Sequence, residues 1–184
     1  MPTNDPIEQS QNCAAAPYGM LRDDFIASMR RLASGVSIVA TGEGEKRRGA
    51  TATAVCSVSA DPPHILTCIN HSSSLNSTLK TFGRFSINIL AERHELLARV
   101  FSGEFGHKDQ KRFEEGHWSD KSVTPPVLLD AYASLACEIV SITEVCTHSV
   151  VIGRVNEIIL DQNKSLSLCY LDGRFLVLKQ GLSN

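Results

Sequence analysis

The residues of this 184-residue chain whose types and spacing could do chemistry gather in one run, RRGATATAVCSVSADPP, from Arg47 to Pro63. Read with the two-residue period of a strand, Thr51, Thr53, Val55, Ser57 and Ser59 share one face. Ala52, Ala54, Cys56, Val58 and Ala60 share the other, a small apolar face suited to a tight core. The hydroxyl face has two readings. It is a solvent-facing strand surface, since Ser and Thr are tolerated in sheets. Or it is a cradle where a planar ligand lies close to the backbone while hydroxyls and N–H groups reach its edge. The Asp61-Pro62-Pro63 stop then forces a chain reversal, because proline fixes its own φ and restricts its predecessor.

Two further places carry the same kind of ambiguity. Ser72, Ser73 and Ser74 precede an amphipathic segment with Leu75, Leu79 and Phe82. One of these serines is a good N-cap, and the positive end of the helix behind it would also accept a phosphate. His148 opens a strand-like segment, either as an ordinary surface or core histidine or as a ligand contact. The other histidines, at 64, 71, 94, 107 and 117, form no spaced ligand set, so no metal site is expected. Nor is there a Ser-His-Asp, Cys-His or paired-carboxylate arrangement. The six cysteines form no C-x-x-C pair, and the simplest expectation is buried, reduced thiols packing as small hydrophobes.

Periodicity supplies the elements that must position these groups. Phe25, Ile26, Met29 and Leu32 predict a helix over 23–32, ended by Gly35. Strands are expected at 36–40, 51–59, 64–70, 85–90, 131–142, 148–160 and 165–170, and short helices at 74–82 and 92–101. The charged stretch 42–48 reads as a hairpin turn, and 103–124 as irregular and solvated apart from a helical turn near Arg112. Many strands with few helices and hairpin-like links favour a mainly β fold, an antiparallel barrel.

Composition bounds the partners. A net charge of −2 argues against nucleic-acid binding, which advertises a basic face. No apolar run approaches the roughly 20 residues of a membrane span. The polar first 20 residues, lacking a secretory pattern, read as a disordered tail on a cytoplasmic protein, with one domain over 21–184.

The run GATATAVCSVSADPPHILTCINHSSS resembles the signature of the flavin-reductase-like family, whose domain is an FMN-binding split barrel. FGRFSINIL, LLARVFSG, Arg112-Phe113 followed by Trp118, Leu135-Ala136-Cys137, THSVVIGRV and LCYLDGRF continue the resemblance in order, over roughly 25–178. It comes nearest to the subgroups linked to pyrimidine breakdown and corrinoid reduction.

The resemblance implies hydride transfer from NADH or NADPH to FMN or FAD, with reduced flavin supplied to a partner monooxygenase by a homodimer. It implies that no side chain acts as a catalyst in its own right, the protein positioning the two rings. Thr51, Ala52, Thr53, Ala54, Cys56 and Ser57 would hold the flavin ring and ribityl chain. Asn70, Ser72, Ser73 and Ser74 would lie near its phosphate, and Phe101 and Ser102 would close over it. His148, Tyr170 and Arg174 would meet the nicotinamide nucleotide. Where the family often carries Gly-Asp before that histidine, this chain has Cys146-Thr147. Other readings of the same scaffold are reduction of a corrinoid or other bulky acceptor, and a flavin-binding electron-transfer module without turnover. Pyridoxamine-oxidase-like chemistry would call for an Arg/Lys-rich phosphate site that the sequence does not show.

Overall fold

The computed structural model describes residues 19–163 and 165–178. The tail expected at the N-terminus falls almost wholly outside that range. The chain runs α1 (Gly19–Arg30), β1 (Ser34–Gly35), β2 (Ser37–Thr41), β3 (Arg48–Ala52), β4 (Val55–Ala60), β5 (Pro63–Asn70), α2 (Ser74–Phe82) and β6 (Arg84–Ile89). It continues through α3 (Glu95–Ser102), β7 (Ala133–Val145), β8 (His148–Leu160), β9 (Leu168–Leu171) and β10 (Arg174–Val177).

Seven strands form one antiparallel sheet in the order β3-β2-β6-β7-β8-β5-β4. Its two edge strands, β3 and β4, are joined in the chain by Thr53 and Ala54 alone. A sheet whose edges are two residues apart in sequence must curl back on itself, and this makes the antiparallel split barrel. A second sheet, β1-β9-β10, lies beside it.

The predicted strand over 51–59 is corrected here, because the chain breaks between β3 and β4. Ala50, Ala52 and Val55 all pack against the inner cluster, so the two-residue period slips at the crossover. Cys56 and Val58, assigned to a core face by the period, are exposed instead. A corner that turns the chain between sheet edges resets which side chains face inward. The sequence reading also missed β10, although Asp172-Gly173, both at positive φ, is a strong hairpin signal.

Two clusters make the core. Val39, Ile65, Ile69, Phe85, Ile87, Cys137 and Val151 fill the barrel, and α2 closes it with Leu75 and Leu79 one helical turn apart. Ser73 caps α2 by accepting the Leu75 amide at 3.3 Å. Outside the barrel, Val36, Ile38, Leu90 and Leu128 pack with Leu97, Val100 and Phe101 of α3. Burial raises the Cys137 thiol to about 12, which leaves it a neutral hydrophobe. The expectation of buried, reduced thiols holds for Cys137 and Cys169; Cys68 is free but half-buried, Cys56 is free but exposed, and Cys146 is not a free thiol.

Candidate functional site

A cleft of about 280 Å³ opens where β3, the end of α3 and the β9–β10 hairpin meet. One wall carries Thr51, Thr53 and Ser102, the other Tyr170, Gly173 and Phe175, and Arg99 and Glu104 also line it. The aromatic wall is a T-shaped pair, the rings of Tyr170 and Phe175 standing 5.1 Å apart. A neighbouring groove of about 240 Å³ shares Thr53 and Tyr170 and is lined further by Phe25, Met29 and Leu32.

Local chemistry explains the cleft's shape. The Thr51 hydroxyl donates to the Ala98 carbonyl at 2.7 Å, which fixes α3 against β3 and leaves that oxygen as an acceptor only. Ser102 donates to the Arg99 carbonyl at 2.8 Å, finishing the helix before Gly103 turns the chain at a φ of 91°. Thr53 and Ala54 stand exposed at the crossover. Behind the cleft, Arg112 donates to the carbonyls of Gly49 (3.0 Å) and Phe101 (2.9 Å), and burial lowers its pKa. Arg47, buried, donates to the carbonyls of Ser119 and Asp120. These two cations hold the 103–124 excursion to the barrel and are engaged with protein carbonyls.

Thr51, Thr53, Ser102 and Tyr170 thus come together around one cleft. A second group forms where β5 ends. Asn70 pairs with His148 across the β5–β8 ladder, and its side-chain oxygen accepts from the Ser72 amide and hydroxyl, each at 2.8 Å. Ser74 donates to Asp109 at 2.8 Å, and Arg48 pairs with the same carboxylate at 3.0 Å.

The turn carrying His148 is braced from α2. Glu144 accepts from Ser149 at 2.8 Å and pairs with Lys80 at 2.7 Å and His71 at 2.5 Å. Chiefly the hydrogen bond from Lys80, then that from Ser149, holds its carboxyl down at about 2. Thr147 Oγ1 lies 2.9 Å from His148 Nδ1, and the Thr147 carbonyl accepts the His71 amide.

The remaining candidates are placed elsewhere. Cys56 and Ser57 are exposed on β4, and Ala52 packs inward. Phe101 is buried at 1% exposure among Phe113 and Trp118, so its side chain supports the cleft from behind. Arg174 is exposed at the start of β10. Sequence reasoning missed Arg99, Glu104 and Phe175. Glu95 and Arg99 at helical i,i+4 spacing were a legible signal for part of that group.

Among the described residues, no group of three His, Cys, Asp or Glu is placed to hold a metal ion. No described helix is long and apolar enough to cross a membrane. The exposed crossover offers the Thr53 hydroxyl beside the small Ala54, and the Thr51 and Ser102 hydroxyls, whose protons go to Ala98 and Arg99, add acceptors only. A small, uncharged edge of this kind fits a flat polar ring such as a flavin.

The split barrel thus sets an exposed, small-residue crossover beside a cleft walled by Tyr170 and Phe175. The profile described as "Flavin reductase like domain" matches residues 29–179, and the chain belongs to that family. It is 40% identical over 151 residues to the 4-hydroxyphenylacetate 3-monooxygenase reductase component of Salmonella typhi, covering 82% of this chain and 88% of that one. It is 36% identical over 162 residues to the FMN reductase (NADH) RutF of Variovorax paradoxus, covering 88% of each. The structure of BorF, the flavin reductase component of a bacterial two-component tryptophan halogenase, superposes with a TM-score of 0.77 at 25% identity, over 86% of this chain and 99% of that one. The NADH:FAD oxidoreductase SgcE6 of Streptomyces globisporus, solved with NAD and FAD fragments, shares the fold at 23% identity and a TM-score of 0.77, over 93% and 99% of the chains.

Proposed function

We propose that this chain is an NADH-dependent flavin reductase, using FMN or FAD and passing reduced flavin to a partner monooxygenase. The observation that carries the reading is the exposed Thr53-Ala54 crossover, whose Thr53 lines the cleft together with Thr51, Ser102 and Tyr170. The names of the relatives in both subgroups support it.

Bound flavin supplies a hydride acceptor at its N5 atom. The chain's own work is placement. Thr53 and Ala54 present a hydroxyl and a methyl group, so a ring can approach the backbone without a bulky side chain intervening. The donor and acceptor rings must meet at ~3–3.5 Å, and the rigid β3–α3 contact through Thr51 keeps one wall from yielding. Tyr170 and Phe175 shield the second wall from water. Asn70, Ser72, Ser73 and Ser74 are the flavin's phosphate end in this reading, and His148, beside Asn70, contacts the nicotinamide nucleotide together with Tyr170 and Arg174.

We place the reaction in a homodimer over residues 21–184, in the cytoplasm. Supporting the dimer, the strands β4, β7 and β8 leave Val58, Val140, Val145, Ile158 and Leu160 exposed, and α1 leaves Leu21 and Phe25 exposed. Apolar residues concentrated on a few elements are the usual mark of a protein interface. A symmetric two-fold pair is the commonest way to cover such surface. Sedimentation of the purified chain at twice its own mass is expected.

The functional test is direct. The protein is titrated with FMN, and consumption of NADH is followed by its absorbance. Saturable flavin uptake with turnover is expected. Absence of any flavin uptake would remove the reading.

A further inference from the structure

The cleft holds a cation that the hydride-transfer reading leaves unused. Arg99 Nη1 donates to both carboxylate oxygens of Glu104, at 3.2 and 3.0 Å. Its Nε and Nη2 donate to Glu95 Oε1 at 3.1 and 2.8 Å. The guanidinium carbon lies 5.0 Å from the centre of the Phe175 ring, which itself abuts Tyr170. Arg99, Glu104, Phe175 and Tyr170 all line the one cleft.

The two acids differ in kind. Glu95 sits one turn earlier on α3, its side chain 45% exposed, and is not among the residues that line the cleft. Glu104 follows the left-handed Gly103 and stands on the loop, its side chain 48% exposed. Rotation about its own side-chain bonds would free it, with no change in the fold. A planar guanidinium facing paired oxygens is also how arginine recognises phosphate. With both acids engaged, one positive charge faces two negative ones. That balance repels an anionic ligand until one acid leaves.

We infer that Arg99 is the docking cation for the diphosphate of a dinucleotide, with Glu104 the internal anion that the diphosphate displaces. This rests on reading the cleft as the flavin–nicotinamide site. Diphosphate is common to NADH and FAD, and absent from FMN. Displacement exchanges one ion pair on Arg99 for another and leaves Glu95 and the Phe175 contact in place. Arg99 is then a specificity residue that favours dinucleotides over mononucleotides.

The test compares Glu104→Gln, Glu95→Gln and Arg99→Met with the unchanged chain. The measurements are NADH KM and kcat with FMN as acceptor, and the dissociation constants of FMN and FAD. Glu104→Gln should lower NADH KM or the FAD constant several-fold, with the change in KM rather than kcat and with no matching change for FMN. Glu95→Gln removes the same charge from the arm outside the cleft lining and should do markedly less. Arg99→Met should weaken the same dinucleotide by on the order of tenfold or more, the worth of a hydrogen bond to a charged group.

Movement of NADH alone assigns the diphosphate to the nicotinamide nucleotide, and movement of FAD alone assigns it to the flavin. Equal effects of Glu104→Gln and Glu95→Gln would overturn the exchange, as would no effect of Glu104→Gln on either dinucleotide. Glu104 is exposed, so its variant is readable even if Arg99→Met does not fold. Failure of the unchanged chain to bind FMN would instead count against the site reading itself.

Discussion

Gly49 of β3 lies so close to Phe101 of α3 that a Cβ there would come within 2.6 Å of the ring atom Cε1 and 2.9 Å of Cδ1. The strand bearing Thr51 can therefore rest on α3 only because residue 49 has no side chain. Arg112 ties the same two residues by donating to both carbonyls. The Gly49–Phe101 contact thus sets the depth of the cleft wall.

Gly49→Ala should push β3 away from α3, because the clash is with a buried ring that has nowhere to go. A cost of about 1–3 kcal/mol is expected, as for overpacking elsewhere. Weakened flavin binding should accompany a lower Tm. A variant with wild-type Tm and flavin affinity would show that the wall yields freely.

Phe101→Ala should cost about 3–5 kcal/mol, since it empties the centre of the cluster formed with Phe113 and Trp118. Chemical denaturation would report it as a lower midpoint. A direct flavin contact by this side chain would instead show as lost affinity at nearly unchanged stability.

Asn88 is fully buried, and each of its side-chain groups is used. Its amide donates to the Ile38 carbonyl at 3.0 Å and Ser86 Oγ at 2.9 Å, and its oxygen accepts from the Leu128 amide at 2.8 Å and Ser134 Oγ at 3.0 Å. Asn88→Ala strands these partners away from water, at about 1–3 kcal/mol for each group left unsatisfied. Asn88→Asp should be harmful too, because a carboxylate cannot donate to Ile38. Thermal denaturation of both variants checks this, and an unchanged Tm in either would contradict the bonding described.

Acid should loosen the start of α3. His94 is buried, and its Nδ1 accepts the Ala91 amide at 3.2 Å, a bond only an unprotonated nitrogen can accept. Burial is the chief cause lowering its pKa from 6.5, opposed by Asp130, whose carboxylate lies 3.4 Å from Nε2. The unfolded chain then binds the proton more readily than the folded one. The stability held by a neutral His94 is complete above pH 6.5 and drains away as pH falls below it. Tm measured from pH 7.5 to 5.5 should decline (range chosen to bracket about 6.5), and His94→Gln, which keeps an acceptor, should flatten the slope.

His148→Ala should raise NADH KM while leaving FMN affinity near its original value, if His148 meets the nicotinamide nucleotide. Steady-state kinetics at fixed FMN decide it, and an unchanged KM would free His148 of that role.

Much of this protein was legible in its residues. The apolar-rich run over 148–160 and the Ser73-to-Phe82 pattern are local signals, and both elements stand where the sequence reading puts them. The ordered run of motifs carried the family. What the chain could not declare from local pattern was the corner at Thr53 and Ala54, where inward and outward faces exchange and Cys56 and Val58 turn to the outside. Nor could it declare that Arg99, Glu104, Tyr170 and Phe175 share one cleft. Periodicity reports a residue's relation to its neighbours in sequence. Meetings between α3 and a hairpin some 70 residues later depend on how the sheet curls, and only the closed barrel decides that.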